Sequence, residues 1–112
     1  MNRDMSVPEI LNEAASLIRK GWTMNAEARD LNGNIVHVTS DDAVSFCVLG
    51  AIHRITYKAL AFRGYMALAE FEGYVRSRLH GGSSISHWND HIAKDQEAVA
   101  IALENCAKGY KE

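Results

Sequence analysis

The chain has 112 residues, 47% hydrophobic and 23% charged, with a formal net charge of -2 at pH 7 and an isoelectric point near 6.2. That length suits one domain with one core, so residues 1–112 are read as a single domain. The slight acidity excludes a global basic field for nucleic acid or an anionic membrane, and no apolar run is long enough to cross a bilayer.

The opening segment, MNRDMSVPEI, lacks the apolar core of a secretion signal, and a cytoplasmic protein is expected. Residues 1–5 read as a loose lead-in. A first helix is predicted over residues 7–20. Ser6 and Glu9 form a capping box, and Pro8 sits in the first turn, where its missing N–H costs little. Ile10, Ala14, Leu17 and Ile18 form the inner stripe. Gly21 is expected to stop the helix in a left-handed conformation, with Trp22 folding back toward Leu17.

Residues 23–38 keep no helical period. Asn32 and Gly33 both accept positive φ, so a hairpin is predicted with strands at about 27–31 and 35–38. Either Ile35 or Val36 faces inward, and His37 is a solvated strand histidine. A second helix is predicted at about 41–57, capped by Ser40 with Asp41 and Asp42 in its first turn. Phe46, Cys47, Gly50, Ala51 and Ile55 would form its core face. Gly50 costs about 1 kcal/mol against alanine in a helix interior, which suits a position where another backbone approaches closely.

A third helix is expected at about 59–79, bent near Gly64 or Gly73, with Leu60, Gly64, Leu68, Phe71, Val75 and Leu79 as its stripe. Gly81 and Gly82 end it. Ser83 or Ser84 then starts a short helical turn carrying Ile85, Trp88 and the string HWND. A fourth main helix at about 95–108 buries Val99, Ala102, Leu103 and Cys106, followed by a frayed tail. Cys47 and Cys106 lack C-x-x-C spacing, so buried free thiols are expected. The fold class is mainly α: a small four-helix domain with a short β-hairpin packed on one side.

Three strings stand out along the chain: Ala28, Arg29, Asp30, Gly33 and Val36; then Cys47, Leu49, Gly50, Ala51 and Ile52; then Trp88, Asn89 and Asp90. This set resembles a family of small uncharacterised bacterial proteins, notably actinobacterial, and their phages, with C-x-L-G-A-[IL] and W-N-D motifs. The resemblance implies an organisation, not a mechanism. The family's phage occurrence suggests a counter-defence factor acting in a host cytoplasm.

Four kinds of chemistry are open to these residues. Cys47 as a nucleophile would need a lowered pKa and a base; His87 would be that base, oriented by Asn89 or Asp90. Against this, Cys47 lies in a stripe expected to face the core, two turns into its helix. His87 and His91, four apart around Asp90, could share a metal, but no second paired spacing completes four ligands, so neither metal nor cofactor is expected. Gly81, Gly82, Ser83 and Ser84 before a helical turn offer amides and hydroxyls to an anion, with Arg76, Arg78 and His80 nearby. Trp88, Asn89 and Asp90 suit a clasp, the indole packing against helix 2 where Gly50 leaves room.

The leading expectation is a non-enzymatic binding protein for a protein partner or a small anionic, nucleotide-like ligand. Its surface would combine Ser83, Ser84, His87, Trp88, Asn89 and Asp90 with Arg29, Arg54 and Lys58. The alternative is a cysteine hydrolase or transferase using Cys47, His87 and Asp90. A homo-oligomer held through helix 3 is a third expectation.

Overall fold

Helix α1 (Val7–Lys20) forms where its caps place it. Ser6 Oγ accepts the Glu9 N–H at 3.2 Å and the Ser6 N–H donates to Glu9 Oε1 at 2.8 Å. Ile10, Leu11, Ala14, Ala15 and Ile18 are buried. They pack mainly on α5 (Gln96–Gly109) and also on α2 (Val48–Thr56) and α3 (Ala61–Tyr74). Asp95 caps α5, which buries Val99, Ala102, Leu103 and Cys106, as its period predicts. At the open end, Arg19 bridges Glu97 and Glu104, tying α1 to α5. The computed structural model describes residues 5–57 and 61–111. Lys58, Leu60 and the beginning of the expected third helix lie outside the described residues.

Among the described residues there are five α-helices, not four, and one small antiparallel sheet. The fifth is a single turn, α4 (Ile85–His87), capped by Ser84. Two π-helical turns, Val75–Leu79 and Trp88–Ile92, extend α3 and α4. The predicted long stripe of helix 3 therefore stops at Val75, and Leu79 is exposed. None of the described helices is long and apolar enough to cross a membrane.

The sheet is not the predicted hairpin. Strand β1 (Ala28–Arg29) pairs antiparallel with β2 (Ser45–Phe46), in register Ala28 with Phe46. The Asn32, Gly33 turn does form, with Gly33 at φ 87° and the Asp30 carboxylate accepting the Asn32 and Asn34 amides. Across it, however, only a single Arg29–Ile35 bridge closes. Val36 and Val38 turn inward while Ile35 stays exposed.

The second helix begins seven residues later than its capping signals suggest. Ser40 instead organises a turn: its Oγ accepts the Asp42 N–H and its carbonyl the Ala43 N–H. Residues 45–46 are spent in β2, and Cys47 is the N-cap of α2, not a mid-helix residue. Gly21 is extended rather than left-handed. It is required by proximity, since a Cβ there would lie 2.1 Å from the Val44 carbonyl oxygen. Of the expected lead-in, residues 1–4 lie outside the described residues; Met5 is buried, and its carbonyl accepts from Arg63 Nη1 at 2.8 Å. At the other end, Tyr110 packs on the core rather than fraying.

Candidate functional site

The chain around Glu27 is where several elements converge. Cys47 N–H donates to the Glu27 carbonyl at 3.2 Å. One turn into α2, Gly50 lies so close that a Cβ would come within 1.9 Å of the same oxygen. Gly50 thus admits a neighbouring backbone, as its type predicts, but the neighbour is Glu27 and not the Trp88 loop. One residue-turn further along α2, His53 Nδ1 meets Glu27 Oε1 at 2.7 Å. Backbone and carboxylate of Glu27 are therefore both fixed from α2.

Beside this pair opens a cleft of about 640 Å³. Its walls come from the 35–38 segment, α2 and α3: Ile35, Val36, Val38, Thr56, Tyr57, Gly64, Tyr65 and Leu68, with Glu27 as its carboxylate and His37 and His53 as its imidazoles. The volume falls in the roughly 300–1,000 Å³ range of small-molecule sites. His37 Nδ1 accepts the Thr39 N–H at 3.1 Å, which makes the neutral ring the Nε2–H tautomer. His53 has the opposite arrangement: its Nδ1–H is turned to Glu27, so the neutral ring keeps Nε2 as an acceptor.

Two arginines expected to bind ligand make internal bonds around this cleft. Arg54 Nη1 donates to the Val38 and Ser40 carbonyls at 2.8 and 2.9 Å, with its guanidinium 5.5 Å from the Phe46 ring centroid. It pins one wall to α2. Arg29 donates to Thr23 Oγ1, the Gly33 carbonyl and the Met24 carbonyl, bracing the chain on either side of Glu27.

The W-N-D string forms a clasp. Asn89 is only 1% exposed. Its Oδ1 accepts Trp22 Nε1–H at 3.0 Å and Val48 N–H at 3.2 Å. Its Nδ2 donates to the Thr23 carbonyl and to Asp90 Oδ1, which also accepts the Asn25 N–H. Asn25 adopts a left-handed φ of 65° to reach it. Trp88 packs edge-on against Phe71, ring centroids 5.8 Å apart, rather than into the space at Gly50.

The serine loop is likewise occupied with itself. Ser83 is buried with His80 Nδ1 at 2.8 Å from its hydroxyl, Arg76 Nε donates to its carbonyl, and Ser84 Oγ accepts the His87 N–H. His87 and His91 are exposed with ring centroids 5.1 Å apart. No group of three or more His, Cys, Asp or Glu among the described residues is placed to hold a metal.

Cys47 is 6% exposed, and its Sγ accepts the Gly50 N–H at 3.3 Å. Among the described residues it makes no hydrogen bond with His87 or any other histidine. Burial pushes its thiol pKa up, outweighing the amide hydrogen bonds that pull it down. Being an N-cap would favour a thiolate; lying dry reverses the balance. Burial likewise pushes Cys106 up to about 12.

A second concavity, of about 540 Å³, lies between the end of α3 and α5, with Arg78, Lys108 and Glu70 among its residues. No sequence motif marks Glu27, His37 or Tyr65 as a site residue. Glu27 and His53 are 26 positions apart, and no local pattern joins them.

Fold and cleft together define a mainly helical protein carrying an apolar cleft with a carboxylate–imidazole pair at its edge. The chain belongs to DUF6197, a family of unknown function whose model matches residues 2–109. Comparison with curated proteins and with solved structures finds no match.

Proposed function

We propose that this protein is a non-enzymatic binding protein whose site is the cleft between the 35–38 segment, α2 and α3. The observation that carries this reading is a pocket of small-molecule size in which apolar and aromatic walls surround a few fixed polar atoms. The burial and raised pKa of Cys47 argue against the thiol as a nucleophile. The internal bonds of Ser83, Asn89 and Asp90 argue for a structural role for the W-N-D loop.

The test is a thermal-shift screen of small organic compounds on the wild-type protein and on Leu68→Trp, which fills the cleft from α3. Compounds that stabilise the first and not the second support the reading. Equal stabilisation of both, with the variant's far-UV spectrum unchanged, would remove the cleft as the site.

A protein partner is a second reading, favoured by one observation. Phe62 and Tyr65 on α3 are 74% and 73% exposed, and Leu31 and Ile35 are also exposed. Such apolar side chains on one helix and a nearby turn suit coverage by another chain, a second copy included. Light scattering across a concentration series separates a monomer from a self-associating chain.

A further inference from the structure

The polar atoms of the cleft narrow the chemistry of what it takes. Resting on the cleft reading, we propose that the ligand is a protonated amine on an apolar or aromatic body. Among the described residues lining the cleft there is no lysine or arginine, and Glu27 is the one carboxylate. Glu27 thus supplies the only fixed formal charge among the described residues of that lining, and it is negative. A small anion would meet the Glu27 carboxylate with no arginine or lysine among the described lining residues to offset it.

The Glu27–His53 edge of the cleft points the same way, while the Nε2–H of a neutral His37 remains a donor for an acceptor elsewhere on the ligand. Glu27 Oε1 is held by His53 Nδ1, leaving Oε2 as a further acceptor. His53 in its neutral form offers a second acceptor, Nε2. An ammonium group carries only donors, so it can satisfy both. The Tyr57 and Tyr65 rings suit the body of such a ligand and favour a cation near their faces.

Preorganisation strengthens the case for Glu27 as the anchoring residue. Its backbone is fixed by the Cys47 amide and by the close approach at Gly50, and its carboxylate by His53. The backbone at least needs no reordering when a ligand arrives.

The experiment is a ¹H–¹⁵N spectral titration with three probes of one shape and different charge: phenethylammonium, phenethyl alcohol and phenylpropionate. The expected order is ammonium tightest and carboxylate weakest, with shifts at Glu27, His53 and Tyr65. Glu27→Gln should lower ammonium affinity about tenfold and leave the alcohol unchanged, the loss of one charge-assisted hydrogen bond. If that variant does not fold, the ranking of the three probes on the wild-type protein still decides. Alcohol or carboxylate binding in the cleft as tightly as the ammonium overturns the amine class and leaves the cleft standing. No shift in the cleft with any probe at millimolar concentration overturns both.

Discussion

The carbonyl oxygen of Glu27 occupies the place where a side chain at Gly50 would begin, 1.9 Å from the position of a Cβ. Sequence neighbours do not explain this contact; it is made by a loop crossing the first turn of α2. It sets the position of Glu27, and through the bond to His53 it sets the polar edge of the cleft.

Gly50→Ala tests that contact. In an open helix the change would stabilise by about 1 kcal/mol. Here the obstructing atoms are backbone, and overpacking of this kind costs about 1–3 kcal/mol. Urea unfolding should therefore show a net loss. A more stable variant would mean that the Glu27 loop gives way freely.

Asn89→Ala should cost about 2–4 kcal/mol, since removing the amide leaves the Trp22 indole N–H and the Val48 N–H without their acceptor. The same denaturant series measures it, and Trp22 emission should shift as its loop loosens. A loss below about 0.5 kcal/mol would mean that the Asn89 hydrogen bonds carry no structural weight.

The Arg19 ion pairs predict an acid response. Hydrogen bonds from Arg19 hold the Glu97 and Glu104 carboxyls below the ordinary glutamate range. Their folded-state pKa is depressed, so their contribution is full above the unfolded value of about 4.3 and is lost as pH falls through the folded values. Both carboxylates are solvent-accessible, which keeps the contribution small and salt-sensitive. Thermal unfolding of wild type and the Glu97→Gln, Glu104→Gln pair should differ at pH 7 and converge toward pH 3. A gap that persists or widens in acid would contradict the assignment.

Both thiols should be silent to iodoacetamide in the native protein at neutral pH and react fully in urea, since burial raises both pKa values. Mass spectrometry after brief labelling reads this directly. Rapid modification of native Cys47 would reopen the catalytic alternative with His87.

Helices α1 and α5 were legible because their signals are local: a capping box and a clean apolar stripe on α1, a regular stripe on α5. Helix α2 was misplaced because Ser40, Asp41 and Asp42 carry capping chemistry that serves a turn equally well. Strand β2 has two residues, too few to show an alternation, and its partner is set by distance in space rather than by the Asn32, Gly33 turn. In the W-N-D clasp the backbone bonds of Asn89 and Asp90 follow from residue type, since Asn and Asp bind nearby loop backbone, whereas the packing of Trp88 on Phe71 does not. The cleft has no local signature in the sequence. Its polar pair joins a loop residue to a helix residue, and its apolar wall at Val36 and Val38 depends on which face of 35–38 turns inward, a choice the alternation left open.

The most direct test of the account is to locate bound ligand by residue. A fragment library screened by ¹H–¹⁵N spectra of the wild-type protein should give hits whose shifts cluster at Val36, Val38, His53, Tyr65 and Leu68. Hits that cluster instead at Ser83, Ser84 and His87, with those cleft residues unmoved, would contradict it.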